Sequence, residues 1–380
     1  MRIGLDYTAA VQQSAGIGRY CRELVGALAA LDCENEYVLL VAGRPGATAL
    51  QRARERFSAH PNFVLRPVPL SERWLNRLWH RLRLPLYVEA FTGPLDLFHS
   101  TDFTLPPVRR ARTLLQVHDL SFLRTPQYAE PSLQRYLRQV VPRSVRRADL
   151  VLADSQHTKS DIVALLGIPP ERVMVVLAGV ESRFQRVTDE DRLQQVRQRH
   201  GLNQPFILGL GTLEPRKNFA GLISAYGILR ARQGIPHELV IGGRQGWLYQ
   251  GIFDRVAELG LQQQVRFLGF VADEDLPALY TLADVFAFPS FYEGFGIPIL
   301  ESMACGTPVV ASNASSLPEV VGEAGLMVSP ENTEALVQAL GQALQDTPLR
   351  HTLISRGREQ ARRFTWERAA QQLLLAYRYV

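Results

Sequence analysis

Cysteine is scarce in this sequence. The chain of 380 residues has only three, Cys21, Cys33 and Cys305, and they form neither a CxxC pair nor a cluster with histidine at metal-ligand spacing. An odd and scattered set of this kind is typical of reduced thiols in a cytoplasmic protein and does not support a disulfide framework. We therefore expect a cytoplasmic location and no metal site.

Long apolar runs are also missing. No stretch approaches the roughly 20 residues that a membrane-spanning helix needs. The N-terminal residues 1–6 resemble a strand more than the apolar core of a signal peptide. Hydrophobic residues make up 46% of the chain and charged residues 21%, which is typical of a globular enzyme. The length predicts two domains rather than one.

Lysine is nearly absent. Of the 42 basic residues only Lys159 and Lys217 are lysine, and the rest are arginine. Lys217 is conspicuous against that background, because an ammonium group is a compact point charge and a guanidinium group is a planar fork. The charge is also uneven, with 23 basic and 17 acidic residues up to Ser182, and 19 and 20 beyond it. A basic first half favours contact with phosphates, an acidic membrane face or an anionic acceptor.

Short β-rich runs alternate with helical periodicity along the whole chain, which predicts two parallel sheets with helices on both faces. The predicted strands are 2–6, 37–42, 63–66, 95–99, 112–117, 149–153, 172–177, 205–210, 237–242, 264–268, 285–288, 307–311 and 325–328. A polar stretch at 183–204 separates the halves, so we predict domains at 1–182 and 183–363. The tail 364–380 predicts a last helix that packs back on the first domain.

The segment with the most functional signals runs from Pro289 to Ser312, where two carboxylates lie eight residues apart. Glu293 falls in the loop after a buried strand, and Glu301 falls about one turn into a short helix. Pro298 suits the first turn of that helix and Gly306 suits the position after its end. The free backbone N–H groups at the helix start favour an anion. They belong to Phe295, Gly296 and Ile297.

A second Gly-rich loop, Gly209 to Asn218, follows a strand and opens a helix. Glu214 stands where a dinucleotide fingerprint needs its third glycine, which disfavours a dehydrogenase. Two adjacent cations at a helix N-terminus oppose the helix dipole, so a merely solvated turn is a poor explanation of them. We expect Arg216 to grip a diphosphate with its fork, and Lys217 to add a point charge.

Two features of the first half are open to more than one interpretation. Gly16 and Gly18 precede the first helix and allow close approach to a ligand, but a plain tight turn explains them equally well. His118 ends an apolar strand, where ligands of doubly wound sheets bind, but a structural histidine is as good a reading.

Residues 71–84 predict a two-faced helix. Apolar and basic side chains separate onto different faces, with Trp74, Leu75, Leu78, Trp79 and Leu82 on one and Arg73, Arg77 and Arg81 on another. Such a helix lies on an anionic membrane surface or packs on the first sheet, and we favour packing. The acidic triplets 189–191 and 273–275 match a metal-binding DxD, but we interpret them as helix starts, where acids are favoured anyway.

These motifs together resemble glycosyltransferase family 4, and most of all its mannosyltransferase-B-type members. The resemblance covers essentially the full length and is most specific at 285–312. It implies a GT-B fold, in which two doubly wound Rossmann-like domains face each other across a cleft. It also implies a retaining transfer without a metal ion or other cofactor, from a nucleotide-sugar bound by the second domain to an acceptor on the first.

The resemblance also implies roles for individual residues. The catalytic set is His118, Arg216, Lys217 and Glu293. The donor-binding set adds Gly16, Gly18, Gly211, Thr212, Gly269, Phe270, Val271, Gly294, Phe295, Gly296, Ile297 and Glu301. Arg216 and Lys217 would neutralise the diphosphate, Glu301 would hold ribose hydroxyls, and residues 269–271 would contact the base. Many relatives have arginine after the glycine at 211, whereas this chain has Thr212, so Arg216 is expected to carry more of the phosphate charge.

The function expected is transfer of a hexose, mannose from GDP-mannose, to a saccharide or lipid-linked acceptor. No nucleic-acid partner is expected, and peripheral contact with an anionic membrane face stays open. One alternative is a nucleotide-sugar epimerase of the same architecture, which would need no acceptor. Another is a subunit that binds a nucleotide-sugar without turnover, against which the complete catalytic set argues.

Overall fold

The computed structural model describes residues 1–13, 16–43 and 46–380. Its strands are β1 Arg2–Asp6, β2 Glu36–Ala42, β3 Phe63–Val68, β4 Leu97–Ser100, β5 Arg112–Val117, β6 Leu150–Ala153, β7 Val173–Val175, β8 Phe206–Leu210, β9 Glu238–Gly242, β10 Val265–Gly269, β11 Val285–Phe288, β12 Val309–Ser312 and β13 Leu326–Val328. Each predicted strand is confirmed, with ends that differ by at most two residues.

The helices lie between and after these strands. They are α1 Thr8–Gln12, α2 Ile17–Leu31, α3 Ala47–Arg56, α4 Glu72–Asn76, α5 Glu89–Thr92, α6 Ser121–Arg124, α7 Pro131–Arg147, α8 Gln156–Leu166, α9 Glu190–His200, α10 Phe219–Gln233, α11 Gln250–Glu258, α12 Leu276–Leu282, α13 Ile297–Cys305, α14 Leu317–Val321, α15 Thr333–Gln345, α16 Thr347–Ala361 and α17 Trp366–Tyr379.

The chain divides into two compact units. Unit 1 comprises Met1–Leu120, Ser132–Gly179 and Trp366–Val380, and unit 2 comprises Ser121–Pro131 and Val180–Thr365. The predicted roles of the two regions, acceptor side for 1–182 and donor side for 183–363, stay predictions.

Unit 1 is built on a parallel sheet. In the described residues its strand order is β3-β2-β1-β4-β5-β6-β7. The order reverses between β1 and β4, which pair directly. The central strands β4 and β6 are buried along their whole length, as strands covered by helices on both faces must be.

Unit 2 repeats the plan with the strand order β10-β9-β8-β11-β12-β13 over the described residues. Here β8 and β11 pair in parallel at the reversal. Its core lies between the sheet and helices such as α10 and α15, with Leu222, Tyr226 and Leu340 fully buried. A doubly wound sheet binds its ligands outside the carboxyl ends of the strands at such a reversal. A ligand-binding site is therefore expected at the loops after β8 and β11.

The last helix, α17, belongs to unit 1, where it packs against α2. The buried side chains of α17 include Trp366, Leu373 and Tyr377. Tyr20 on α2 meets the Trp366 ring edge-on at 5.5 Å between centroids. The Tyr377 hydroxyl lies 3.0 Å from Nδ1 of the buried His99 on β4. These contacts make the last residues of the chain part of the first core.

The segment 71–84 differs from the single helix that its pattern predicts. After α4 the backbone continues as a π-helical turn, Arg77–Arg81, which widens the helix and shifts the following side chains around it. Leu75 and Trp79 are buried as expected, but Trp74 is 53% exposed and Leu82 57% exposed. The prediction that all five apolar residues share a packed face was therefore wrong.

Candidate active site

Two loops of unit 2 meet at the carboxyl ends of neighbouring strands. The loop after β8 begins at Gly211 and ends in a short 3-10 turn, Pro215–Lys217, before α10. The loop after β11 carries Glu293 and leads into α13, where Pro298 lies in the first turn and Gly306 follows the end with a φ of 79°. Because β8 and β11 are adjacent, the cations of one loop reach the carboxylate of the other.

The contact between the loops is a compact ion cluster. Nη1 of Arg216 donates to Oε2 of Glu293 at 2.9 Å, and Nζ of Lys217 donates to Oε1 at 2.7 Å. Nη2 of Arg216 donates to Oε1 of Glu214 at 2.6 Å. The Lys217 ammonium also lies over the Phe288 ring, 4.9 Å from its centroid. Both cations are therefore held in place by partners on two sides.

Burial and charge oppose each other at Glu293, which is only 7% exposed. Burial raises the pKa of its carboxyl, but the attraction of Arg216 and Lys217 outweighs burial and lowers the pKa to about 2. At Glu214 burial prevails over the same two cations and the pKa is raised. Glu293 is thus an anion at any physiological pH.

The start of α13 keeps backbone donors for an anion. In the part of the chain that the structure describes, the N–H groups of Phe295 and Gly296 donate to no protein acceptor. Serines of the next loop hold this stretch. Oγ of Ser315 accepts from the N–H of Glu293 at 2.8 Å, and Oγ of Ser316 donates to the carbonyls of Glu293 and Phe295 at 2.9 and 3.1 Å. The donors at 295–296 are therefore fixed before any ligand arrives.

Glycine is required on the loop after β9, because the backbone of the β8 loop lies against it. A side chain at Gly243 would place its Cβ 1.8 Å from the carbonyl oxygen of Gly211, so the loops after β8 and β9 touch directly. Gly211 itself has a φ of 152°, and Thr212 beside it is exposed. Sequence reasoning found Gly211 and missed Gly243, which no motif marks.

The remaining predicted donor-binding residues of unit 2 lie at the same edge or just inside it. Glu301 is 2% exposed and accepts from the Tyr280 hydroxyl at 2.9 Å. Gly269 ends β10 and Val271 is buried, whereas Phe270 between them is 47% exposed and lies under the Arg244 guanidinium at 4.3 Å. Phe270 thus presents an aromatic face to solvent.

In unit 1, both ring nitrogens of His118 are engaged. Nδ1 lies 2.8 Å from Oδ2 of Asp154, and Nε2 lies 3.0 Å from the carbonyl oxygen of Thr101. A carbonyl only accepts, so Nε2 carries a proton. Gln116 donates to the other oxygen of Asp154, and the rings of Tyr20 and Phe103 approach His118 edge-on. The imidazole is therefore locked in one orientation.

The protonation of His118 depends on Asp154. Burial lowers the pKa of the imidazole, but Asp154 outweighs burial and the pKa of His118 is raised to about 9. Burial also raises the pKa of Asp154. The pair therefore holds one shared proton at neutral pH and is close to neutral as a whole.

Gly16 and Gly18, which lie at the start of α2, are explained by different structural requirements. Gly16 has a φ of 58° and caps the helix. A Cβ at Gly18 would lie 2.3 Å from the carbonyl oxygen of Gln13, so packing within unit 1 alone demands glycine there. Ala15, the first residue of the predicted loop motif, lies outside the described residues.

The family model for glycosyltransferase family 4 matches residues 14–184, and the model for glycosyl transferases group 1 matches residues 191–360. O-antigen chain mannosyltransferase B of Escherichia coli is 34% identical over 370 residues, which cover 96% of this chain and 96% of that protein. This chain is a family 4 glycosyltransferase.

Solved structures confirm the predicted GT-B fold of the glycosyltransferase. Sucrose-phosphate synthase from Thermosynechococcus elongatus superposes with a TM-score of 0.76 at 22% identity, over 100% of this chain and 98% of that one. Anabaena HepE, determined with UDP and glucose, gives a TM-score of 0.75 at 21% identity over 100% and 99%. At this identity the likeness establishes the fold alone.

The structure brings some of the predicted residues together and leaves others as predictions. Within unit 2 of the glycosyltransferase, Arg216, Lys217 and Glu293 are in direct contact. His118, Gly16 and Gly18 belong to unit 1, so their role beside the donor stays a prediction.

Sequence reasoning missed the partners of these residues. Asp154 is the clearest case, because it follows β6, the strand next to the one that His118 follows. Strand order could have revealed it, but no local motif marks it. The other missed partners are Glu214, Tyr280, Ser315 and Ser316.

The two acidic triplets are helix starts, as predicted. Asp189 caps α9 by accepting from the N–H of Arg192 at 3.2 Å. Asp275 precedes α12 but uses its carboxylate differently, in ion pairs with Arg192 and Arg199 and in a contact of 3.0 Å with Nε2 of His200. In the ranges that the structure describes, no group of three potential ligands is placed to hold a metal ion, and no helix is long and apolar enough to cross a membrane.

Proposed function

We propose that this glycosyltransferase transfers a hexose with retention of configuration, and that the hexose is mannose from GDP-mannose. The acceptor in this proposal is a saccharide or a lipid-linked glycan. The support for mannose is the similarity to O-antigen chain mannosyltransferase B over nearly the whole length of both chains. The free cysteines support a cytoplasmic location.

One observation carries the donor assignment. Arg216 and Lys217 lie at the strand-order reversal of unit 2, in contact with Glu293 and next to the donors at 295–296. A planar fork, a point charge and two backbone N–H groups together match a diphosphate. The carboxylate of Glu293 matches the hydroxyls of a sugar that is attached to such a diphosphate. A nucleoside-diphosphate sugar carries both groups.

The proposed reaction needs little proton chemistry from the protein. The bond between the anomeric carbon and the diphosphate oxygen breaks as the acceptor oxygen bonds to the same face of that carbon. The acceptor proton passes to the departing phosphate oxygen. Arg216 and Lys217 stabilise the charge that develops on the diphosphate, so catalysis is electrostatic and positional.

The same cations account for the proposal that no metal ion takes part. Arg216 and Lys217 would neutralise the diphosphate charge that a divalent ion neutralises in other enzymes. Their side chains are only 16% and 13% exposed. At low exposure such charges are screened little by solvent.

Titration of the purified protein with GDP and with UDP in EDTA tests the donor. A ligand that binds only the folded protein raises the melting temperature with its concentration. We expect GDP to raise it and UDP to leave it unchanged. A rise with UDP alone would overturn the mannosyl assignment, and a rise that needs added Mg²⁺ would overturn metal independence.

Product analysis tests the transfer itself. GDP-mannose incubated with the enzyme and an acceptor should give a mannoside with the anomeric configuration of the donor, detected by NMR. An inverted product would contradict retention, and an isomerised nucleotide-sugar would indicate the epimerase alternative.

A further inference from the structure

A cavity in unit 1 lies apart from the strand ends considered so far. It has a volume of about 510 Å³ and lies between the segment after α4 and the helix α7. Its apolar wall includes Trp79, Leu84, Pro85, Tyr87 and Val140. The polar part of the lining consists of His80, Ser144 and four arginines. Neither the proposed transfer nor the core packing explains this combination.

The charge of the lining has one sign. Arg83, Arg143, Arg146 and Arg147 line the cavity, and no carboxylate does. Arg147 is anchored, because its guanidinium donates to the carbonyls of Leu105 and Pro106 at 3.1 and 2.8 Å. Within the described part of the chain, Arg83, Arg143 and Arg146 pair with no carboxylate. Uncompensated charge collected around a concave surface favours an anionic ligand.

His80 supplies an independent indication of a ligand. The residue lines the same cavity, and its Nε2 is buried and has no hydrogen-bond partner among the described residues. Burial, followed by the charge of Arg147, lowers the pKa of His80 to about 4, so the ring is neutral. A buried polar atom without a partner is costly, and a ligand oxygen at this point would remove that cost.

Part of the apolar wall is open to solvent. Leu84 and Tyr87 of the wall are 45% and 37% exposed, and the neighbouring Leu82 is 57% exposed. Solvent exposure of large side chains in one short stretch is unfavourable unless something apolar covers them. The arginines alone would suit any phosphate, whereas this stretch suits a phosphate that carries a hydrocarbon chain.

We propose that this cavity binds the phosphate or diphosphate group of a lipid, with the arginines and His80 around the phosphate and the stretch 82–87 along the first part of the chain. This inference deepens the proposed function, because it selects the lipid-linked class of acceptor. To that extent the inference rests on the proposed function. Guanidinium groups bind phosphate oxygens through paired, charge-assisted hydrogen bonds, which explains why arginines gather here.

Calorimetric titration of the full-length protein with decyl phosphate, below its micelle concentration, tests the site. Inorganic phosphate is the parallel probe, and it should bind at least about tenfold more weakly, because it gains nothing from the apolar stretch. The variant Arg143→Gln/Arg146→Gln should lower the affinity for decyl phosphate at least about tenfold, because it removes two charge-assisted contacts.

The matched control is Arg52→Gln/Arg54→Gln. Both residues are exposed arginines of α3 in unit 1, they pair with no carboxylate among the described residues, and neither lines the cavity. This variant has the same change in net charge and should bind decyl phosphate like the unaltered protein. A second variant, His80→Phe, keeps a ring but removes the unpartnered nitrogen and should also weaken binding.

Two results would overturn the proposal. Equal weakening in both double variants would show that decyl phosphate responds to net charge alone, and equal affinity for inorganic phosphate would show that the apolar stretch takes no part. Because binding is read without transfer, failure here leaves the GDP titration unaffected. Absence of GDP binding likewise says nothing about this cavity, so the two failures are distinguishable.

Discussion

Glu293 is ion-paired with Arg216 and Lys217, the two cations that the sequence predicts to bind a diphosphate. Its oxygens lie 2.9 Å from Arg216 and 2.7 Å from Lys217, close to ideal for charge-assisted hydrogen bonds. A diphosphate that reaches these cations must share or replace those contacts. Glu293 therefore both holds the cations ready and competes with the donor for them.

This competition makes opposite predictions for binding and for turnover. Glu293→Gln keeps the size of the side chain but removes its charge. We expect the affinity for GDP to stay the same or to rise, since the cations lose a competing anion. Turnover should fall on the order of a hundredfold, because a group that orients the sugar is lost. Calorimetry with GDP and initial rates with GDP-mannose would measure the two effects.

Two further variants complete the comparison. Lys217→Ala removes a phosphate contact and should lower both GDP affinity and turnover. Glu331→Gln changes an exposed glutamate of the same unit and should change neither. Unchanged turnover in Glu293→Gln would refute the role assigned to this carboxylate.

Asp154 makes a prediction about pH at the residue scale. Because the folded pKa of His118, about 9, lies above its ordinary value of 6.5, protonated His118 stabilises the folded state fully below pH 6.5. That contribution is lost as the pH rises through about 9. Asp154→Asn keeps an acceptor for Nδ1 but removes the charge. We expect the variant to unfold more easily than the unaltered protein at pH 6.5, and the difference to shrink toward pH 9.

Urea unfolding at a series of pH values would measure this difference. A gap in unfolding free energy that stays constant across the range would mean that Asp154 acts through packing rather than through charge. The histidine ring signals in NMR give a second readout, since the His118 midpoint should fall in the variant.

At the scale of elements, α17 closes the core of unit 1. Its apolar face lies on α2, with Leu373 and Ala376 completely buried, and its Tyr377 hydroxyl pairs with Nδ1 of His99. Burial of one large apolar side chain contributes roughly 1.5–3 kcal/mol. Several such side chains approach the total stability of an ordinary domain, about 5–15 kcal/mol.

We therefore expect a chain that ends at residue 365 to lose the folded state of unit 1. Calorimetry should show the transition of unit 1 lost or shifted to much lower temperature, and limited proteolysis should cut first within unit 1. Tyr377→Phe is the mild comparison. It removes only the partner of His99 and should cost about 1–3 kcal/mol. A truncated chain that melts like the full one would contradict this account of α17.

The elements themselves could be predicted from the sequence because their causes are local. Apolar runs gave the strands, and Pro298 and Gly306 gave the two ends of α13. The π-helical turn at Arg77–Arg81 could not be predicted, because no proline or glycine marks it. The partner of His118 could not be read from its own motif either, since Asp154 lies 36 residues further along the chain.

For the whole molecule, the chain passes from one unit to the other more than once. It enters unit 2 near Val180 and leaves it near Thr365, and the two points lie side by side, joined by a hydrogen bond of 3.1 Å from the Val180 N–H to the Phe364 carbonyl. Unit 1 is therefore made of distant pieces of sequence, whereas most of unit 2 is one continuous piece. The charge follows the same division, since the basic excess lies before residue 182.

The position of α17 has a consequence for the order of events on the ribosome. Its binding face on α2, Ile17–Leu31, is synthesised long before α17, Trp366–Tyr379, which follows all the strands and all the other helices of the described residues. At about 5–20 residues per second, the apolar face of α2 stays uncovered for tens of seconds while the rest of the chain is translated. The strands and helices of unit 2 are synthesised during that interval, and unit 1 completes its fold only after α17 leaves the exit tunnel.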